Sequence, residues 1–92
     1  MKTLTQKEAQ TIIESTGTII FTTPKCWRCD TVKEMCRNLE VDEFQVIKGV
    51  YPQEQLGINE APIVIHFKDG KETGRLRGVN NTQAYINLIQ GI

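Results

Sequence analysis

The chain has 92 residues, of which 39% are hydrophobic and 24% charged, and eleven basic residues balance eleven acidic ones. This length fits one domain with a modest core, and the net charge of zero offers neither the basic surplus of a nucleic-acid-binding protein nor the acidic surplus of a solvated tail. We therefore expect residues 1–92 to form a single globular domain that binds no nucleic acid.

No stretch of the sequence resembles a signal peptide or approaches the roughly 18 apolar residues of a membrane-spanning helix. We therefore expect a cytoplasmic protein that makes no membrane contact. Because the cytoplasm is reducing, the three cysteines of the chain are not expected to form a structural disulfide framework. A closely spaced pair of cysteines in such a protein is expected to be catalytic or metal-binding.

The N-terminal part of the sequence predicts a helix, a strand and a second helix. Thr5 and Glu8 have the spacing of a capping box, and helically spaced apolar residues follow them. Residues 18–22 form a short β-rich run, which Pro24 ends. From residue 26 to residue 39, apolar side chains recur at helical spacing with charged residues between them, as in an amphipathic helix.

The rest of the sequence predicts three strands and two helices. They are a strand at 44–47, a short helix at 51–56, a strand at 63–67, a strand at 72–77 and a closing helix at 82–89. Asp69-Gly70 is a typical hairpin turn between the last two strands. The element order αβαβαββα implies parallel pairs with right-handed crossovers and one antiparallel hairpin. We predict an α/β fold in which helices flank both faces of a four-stranded mixed sheet.

The motif that carries chemistry is Cys26-Trp27-Arg28-Cys29, between the first predicted strand and the second predicted helix. Zinc sites share this spacing, but they normally use four ligands, and the sequence holds three cysteines and one histidine. At a strand-to-helix junction the pair is typical of a dithiol that opens and closes as a disulfide. An inert pair or half of a zinc site is the alternative interpretation.

The position of the motif predicts different roles for its two thiols. At a helix N-terminus, Cys26 would face the helix dipole and free backbone N–H groups, both of which favour the thiolate that attacks a disulfide. The positive charges of Lys25 and Arg28 would favour it further, whereas Asp30 would oppose it weakly. We predict that Cys26 is the nucleophile and that Cys29, on the same helical face, resolves the mixed disulfide.

Two further titratable residues are predicted to be structural. Cys36 would lie roughly 10 Å along the helix from Cys29, too far for a disulfide, and its place on the apolar stripe suits a buried side chain. His66 would lie about 13 Å along a strand from Pro62, and we expect it to be too far from the dithiol to take part in the chemistry.

The chain resembles the thioredoxin superfamily over nearly its whole length. Three features carry the resemblance: the dithiol motif at 26–29, a segment at 57–62 that looks like the family's approach to a cis-proline, and a hairpin followed by Gly78. The approach to the motif at 22–26 is similar to that of glutaredoxins and glutaredoxin-like thioredoxins, whereas the segment at 57–78 looks more like thioredoxin. The resemblance implies the thioredoxin fold and a thiol–disulfide oxidoreductase that acts in electron transport and cell redox homeostasis.

The sequence also departs from typical thioredoxins. The first strand of that family is not evident, and Trp27-Arg28 stands between the cysteines instead of Gly-Pro. Ile20 stands where thioredoxins usually carry a buried aspartate, six residues before the first cysteine. The resemblance therefore does not identify the group that takes the proton from Cys29.

The resemblance implies a substrate groove beside the dithiol. A cis Ala61–Pro62 bond would place the Ala61 backbone where it can bind an extended substrate segment, and Pro62 would keep metal ions from the cysteines. Gly78 would let the substrate backbone approach closely. Trp27 and Arg28 would contact a partner protein. The alternatives are a Trp27 packed over its own loop, a solvated Arg28, and a Gly78 that only ends a strand.

The resemblance also implies partners. We expect a monomer without bound cofactor that reduces protein disulfides, ribonucleotide reductase among them, with electrons from NADPH through thioredoxin reductase. The alternative donor is glutathione, as in glutaredoxins, with residues 79–81 contributing to its site. Asn81 is otherwise the N-cap of the last helix. A basic clamp for glutathione could come from Lys25, Arg28, Arg75 and Arg77.

Two alternatives of another class remain. One is a non-catalytic binding module built on the same fold. The other is a metal or iron–sulfur site that forms across a dimer through Cys26, and it predicts visible absorbance from the purified protein.

Overall fold

The structure, a computed structural model, describes residues 1–46 and 55–91. Along these residues the elements are α1 Gln6–Ile13, β1 Gly17–Thr22, α2 Trp27–Met35, β2 Asp42–Gln45, β3 Ile63–Lys68, β4 Lys71–Arg77 and α3 Thr82–Gln90. The short helix predicted at 51–56 falls largely outside the described residues. None of the described helices is long and apolar enough to cross a bilayer.

The four strands form one mixed sheet in the order β2-β1-β3-β4, which confirms the predicted fold class. β1 and β2 are parallel, as the intervening helix predicted. β3 and β4 form the predicted antiparallel hairpin. β3 also runs antiparallel to β1, so the expectation of a parallel pair was wrong there. Alternation of strands and helices does not by itself determine the direction of each strand. An irregular segment such as 57–62 can return the chain to the sheet from either end.

The bounds of α2 and β2 differ from the prediction. The helix predicted to reach residue 39 ends at Met35, with Cys36 as its C-cap. β2 begins at Asp42, earlier than predicted, although charged residues are uncommon in strands. The strand forms there because the backbone of Glu43 is hydrogen-bonded on its outer side to Lys2 and Leu4, with N···O distances of 2.8 and 2.7 Å.

The residues before α1 form no strand of their own, as the sequence predicted, but they contact the edge of β2. Thr3 forms an isolated parallel bridge with Glu43, at the edge of β2 that faces away from β1. The bridge is too short to count as a strand. It nevertheless covers part of an exposed sheet edge that would otherwise carry unpaired backbone groups.

Two hydrophobic clusters lie on opposite faces of the sheet, because successive strand residues point to opposite sides. One cluster joins α1 to β1 and β3 and includes Ala9, Ile13, Ile19, Phe21, Ile63, Ile65 and Phe67. The other joins α2 and α3 to the same strands and includes Ile20, Val32, Cys36, Val64 and Tyr85. Cys36 is fully buried, as predicted, and burial raises its pKa to about 11.

Local sequence signals set the starts of two helices. The Thr5 hydroxyl accepts a hydrogen bond from the Glu8 amide at 3.2 Å, and the Glu8 carboxylate accepts one from the Thr5 amide at 3.0 Å, which confirms the capping box. The Asn81 side chain accepts a bond from the Ala84 amide at 2.8 Å. Asn81 is therefore the N-cap of α3. This is the second of the two roles predicted for it, the first being a contact with glutathione.

Candidate active site

The dithiol lies where β1 passes into α2. β1 ends at Thr22, a turn at Pro24 and Lys25 follows, and Cys26 is the N-cap of α2. Lys25 has a φ of 56°, in the left-handed region that residues with a side chain rarely adopt. This turn reverses the chain within a few residues and places Cys26 at the end of the helix with free N–H groups.

Cys26 and Cys29 are joined as a disulfide, with their Cα atoms 5.2 Å apart. The sulfur of Cys26 accepts a hydrogen bond from the backbone N–H of Cys29 at 3.1 Å. Cys26 is half-buried, whereas Cys29 is only 2% exposed. An incoming disulfide can therefore reach the first sulfur but not the second. The pair can open and close as a disulfide, and its two members differ in access.

The side chains between and before the cysteines are exposed. Trp27 is 70% exposed, so it does not pack over its own loop. The guanidinium carbon of Arg28 lies 5.3 Å from the centre of the Trp27 ring, a distance at which a cation is attracted to the ring face. Lys25 is exposed as well. These groups form a cationic and aromatic surface next to the Cys26 sulfur.

The segment before β3 lies at the same end of the sheet as the dithiol. Phe21, near the end of β1, pairs with Ile63, the first residue of β3, so Pro62 is level with the start of the turn that leads to Cys26. The Ala61–Pro62 peptide bond is cis, as predicted. Gly78 follows β4 and donates a backbone hydrogen bond to the carbonyl of Pro62 at 3.0 Å.

Position 78 requires glycine because of its backbone conformation. Its φ is 67°, and an added Cβ would meet no atom within 4 Å. A side chain here would therefore be disfavoured by backbone strain and not by contact. The structure thus brings Pro62 and Gly78 together at the dithiol end of the sheet.

Tyr85 is a residue near this site that the sequence interpretation missed. Its side chain is fully buried, its hydroxyl donates to the Gly78 carbonyl at 3.2 Å, and the same oxygen accepts from the Asn80 amide at 3.1 Å. A signal was present, because a tyrosine on the apolar face of an amphipathic helix is buried against the core and needs a hydrogen-bond partner for its hydroxyl. The sequence could not show which backbone groups supply it.

Glu43 is a second residue that was missed. Its side chain is 5% exposed, the Thr22 hydroxyl donates to one carboxylate oxygen at 2.6 Å, and the Lys33 ammonium lies 3.3 Å from the other. Glu43 pairs in register with Ile20 on β1. A buried carboxylate therefore lies beside the residue that replaces the usual aspartate, on the sheet face covered by α2. The signal in the sequence was a charged residue within a strand.

His66 lies at the other end of the sheet, as predicted. It pairs in register with Thr18 near the start of β1, and its Nδ1 lies 2.7 Å from the Thr18 hydroxyl oxygen. Burial, with a smaller contribution from the charge of Lys68, lowers the pKa of His66 below its usual value. A surface cavity of about 750 Å³ adjoins this residue and does not include the dithiol.

Two of the residues proposed for a basic clamp, Arg75 and Arg77, contact carboxylates elsewhere. Arg75 donates two hydrogen bonds to the Glu72 carboxylate, at 2.7 and 2.6 Å, and one to the carbonyl of Leu56 at 2.8 Å. Arg77 lies 3.3 Å from the carboxylate of Glu60. Arg75 therefore ties β4 to the segment before β3 and is not free to hold an anionic ligand, which corrects the prediction.

No three histidine, cysteine, aspartate or glutamate side chains lie close enough to hold a metal ion within residues 1–46 and 55–91.

A dithiol at the start of a helix, at one end of a mixed four-stranded sheet, defines a thiol–disulfide oxidoreductase. No family model matches the chain. A thioredoxin from Chlamydia caviae is 31% identical over 84 residues, which cover 82% of this chain and 82% of the relative. This chain belongs to the thioredoxin family.

Solved thioredoxin structures agree with the fold. Thioredoxin from Malassezia sympodialis superposes with a TM-score of 0.80 at 13% identity, over 99% of this chain and 90% of that one. A mutant thioredoxin from Halobacterium salinarum gives a TM-score of 0.81 at 18% identity, over 97% of this chain and 88% of that one. At these identities the similarity supports the thioredoxin fold alone.

Proposed function

We propose that this protein reduces disulfides in other proteins, with electrons that NADPH supplies through a thioredoxin reductase. The observation that carries the proposal is the difference in access between the two sulfurs at the start of α2. Cys26 is open to a partner, whereas Cys29 is covered. A dithiol of this kind forms a mixed disulfide at one sulfur and closes it with the other.

The reaction follows from that difference. In the reduced protein, the Cys26 thiolate attacks one sulfur of the target disulfide, and the other target sulfur leaves as a thiolate and takes up a proton. Cys29 then loses its proton and attacks the Cys26 sulfur. The Cys26–Cys29 disulfide forms, and the second target sulfur leaves as a thiol. Two electrons and two protons from the reductase restore the dithiol.

The start of α2 favours the first step. Free N–H groups and the positive end of the helix dipole stabilise a thiolate at an N-cap position, and the nearby cations Lys25 and Arg28 add to this effect. The hydrogen bond from the Cys29 amide to the Cys26 sulfur is of the same kind.

Glu43 is the group that we propose as the acceptor of the Cys29 proton. Lys33, which contacts the Glu43 carboxylate, lies one helical turn after Cys29 and thus on the same face of α2. Thr22, which also contacts that carboxylate, is the last residue of β1 before the dithiol turn. The carboxylate thereby lies on the sheet face that α2 covers, on the side of the helix that carries Cys29. The role requires it to reach the Cys29 proton directly or through one water molecule.

The target would bind across the cysteine motif and the segment before β3. Ala61, Pro62 and Gly78 lie together at the dithiol end of the sheet, where the Gly78 amide already donates to the Pro62 carbonyl. An extended segment that carries the target disulfide can pair with the backbone of Ala61, and Gly78 leaves room for its approach. The exposed ring of Trp27 offers apolar contact area beside it.

We further propose a monomeric cytoplasmic protein with ribonucleotide reductase among its targets. The reducing cytoplasm supports a dithiol carrier that must be kept reduced. The target remains an inference from the resemblance to small thioredoxins that supply this enzyme.

The experiment that tests the proposal gives the oxidised protein two electron sources in parallel. One is NADPH with thioredoxin reductase, and the other is glutathione with NADPH and glutathione reductase. NADPH consumption is followed on a protein disulfide such as that of insulin. We expect turnover with thioredoxin reductase and its loss in Cys26→Ser.

Other outcomes separate the alternatives. Turnover with glutathione alone would support the glutaredoxin alternative, which the similarity of residues 22–26 to glutaredoxins favours. Turnover with neither source would contradict the proposal. The non-catalytic binding module would be supported if the wild type shows no turnover and Cys26→Ser still binds a partner protein.

A further inference from the structure

Three residues connect β4 to the N-cap of α3, and we call residues 78–80 the 78–80 loop. The loop lies at the dithiol end of the sheet, because the Gly78 amide donates to the Pro62 carbonyl at 3.0 Å. Val79, in its centre, is 45% exposed. Val79 and Trp27 are two large apolar side chains that this end of the molecule presents to solvent.

The loop has few restraints of its own. Gly78 adopts a left-handed conformation, and a Cβ there would contact nothing within 4 Å. The Asn80 side chain donates to the Arg77 carbonyl at 3.0 Å, which is a contact within the same short stretch of chain. Besides Pro62, which bonds only the first residue of the loop, the loop thus needs a second partner outside itself to hold a single position.

Tyr85 is that partner. Its ring is buried in the cluster that contains Ile20 and Val64, so the packing of the sheet determines where the ring lies. Its hydroxyl contacts both ends of the loop, as donor to the Gly78 carbonyl at 3.2 Å and as acceptor from the Asn80 amide at 3.1 Å. The two hydrogen bonds therefore hold the loop in a fixed position relative to the core.

The hydroxyl is not required for packing the ring. A phenylalanine would fill the same space between α3 and the sheet, and would leave the carbonyl of Gly78 and the amide of Asn80 without this partner. Both groups are backbone atoms of a surface loop and can bond to water instead. The expected consequence of losing the hydroxyl is therefore a loop with more freedom, in a molecule that still folds.

We propose that Tyr85 is a positioning residue for target binding. It holds the 78–80 loop against Pro62, so that the surface beside Cys26 is already in place when an extended, disulfide-bearing segment of the target protein arrives. This inference rests on the proposed function. A surface that is ordered before binding costs less entropy when the complex forms, so the effect belongs to KM. The chemistry at the sulfurs does not involve Tyr85.

The test compares the wild type, Tyr85→Phe and Leu88→Ala in the NADPH-driven reduction of a protein disulfide. Leu88→Ala shortens a partly buried side chain of the same helix and cluster, and removes neither of the hydrogen bonds between Tyr85 and the loop. It is the control for a general loosening of α3, and its melting temperature is measured together with that of Tyr85→Phe.

We expect Tyr85→Phe to raise KM for the protein disulfide about three- to tenfold, with kcat unchanged. A change of that size corresponds to the net contribution of about one hydrogen bond. The rate at which its reduced dithiol reacts with a small aromatic disulfide stays at the wild-type value. Amide hydrogen exchange at Asn80 becomes faster. Leu88→Ala keeps the wild-type KM, although its melting temperature falls at least as far.

Equal KM values for an active wild type and Tyr85→Phe would overturn the positioning role alone. A fall in kcat with KM unchanged, or an equal rise of KM in Leu88→Ala, would also overturn it, since either would mean that the hydroxyl has no specific effect on the binding surface. Absence of turnover by the wild type would contradict the proposed function itself, and the role of Tyr85 in target binding with it.

Discussion

Ile20 and Glu43 are direct neighbours in the pairing of β1 with β2, and both face α2. The carboxylate of Glu43 is buried there, bonded to the Thr22 hydroxyl and paired with Lys33. Position 20 is where thioredoxins usually carry a buried aspartate. A buried acid thus lies one strand across from position 20, on the sheet face that α2 covers.

Replacing Glu43 by glutamine should slow the resolving step. The amide keeps the size of the side chain and can still accept the Thr22 hydrogen bond, but it cannot take a proton from Cys29. Loss of a positioned base costs roughly 10²-fold in rate at neutral pH. The measurement is the decay of a preformed mixed disulfide on Cys26, followed by mass spectrometry after acid quenching.

The matched control for that variant is Glu40→Gln, which removes an exposed carboxylate shortly before β2. It should resolve the mixed disulfide at the wild-type rate. If Glu43→Gln resolves the mixed disulfide as fast as Glu40→Gln across the pH range from about 6 to about 9, another group accepts the proton.

Thr22→Val should destabilise the protein. Valine has nearly the same shape as threonine and suits a strand, but it leaves a buried carboxylate oxygen of Glu43 without its donor. A hydrogen bond to a charged group contributes about 1.5–3 kcal/mol. We expect a loss of that size in the free energy of unfolding, measured by urea denaturation. Thr23→Val, at the exposed next position, should change it by less than about 0.5 kcal/mol.

Cys36 predicts a loss of stability in alkali. Burial raises its pKa to about 11 from the ordinary value of 9.0, so the unfolded chain releases this proton at lower pH than the folded one. The contribution is fully present below pH 9, and it is lost as the pH rises from about 9 to 11, with a slope of up to about 1.4 kcal/mol per pH unit.

The comparison that isolates this effect is Cys36→Ala, whose free energy of unfolding is measured beside the wild type at several pH values. The variant is less stable at neutral pH because it leaves a small cavity, but the difference between the two proteins narrows above about pH 9. A difference that stays constant up to about pH 11 would show that the folded protein does not disfavour the Cys36 thiolate. Disulfide reduction should be unaffected by the substitution.

Lys25→Asn should make Cys26 less reactive. Asparagine tolerates the left-handed conformation at position 25, so the change removes the charge with little strain. Loss of one exposed cation near the sulfur should disfavour the thiolate and slow alkylation of the reduced protein about twofold at about pH 6. Lys7→Asn, on the exposed surface of α1, is the control. Equal alkylation rates for both variants would mean that the helix terminus alone stabilises the thiolate.

Much of the fold could be predicted because its signals are local. The Thr5 and Glu8 capping box, the β-rich run before Pro24 and the Asp69-Gly70 turn each depend on interactions within a few residues, and each appears in the structure. The direction of β3 could not be predicted in the same way. It depends on how a distant strand returns to the sheet, which no neighbouring residue encodes.

The candidate site divides along the same line. The sequence by itself determined the dithiol, its place before a helix and the burial of Cys36, because spacing and helical periodicity are properties of a continuous stretch of chain. Only the tertiary structure decided that Glu43 lies beside Ile20 and that the Tyr85 hydroxyl bonds to the 78–80 loop. It also decided that Arg75 is held by Glu72 and the Leu56 carbonyl. The contacts of Glu43 and Tyr85 and the Leu56 bond join residues from different elements, so their partners depend on strand register and helix packing.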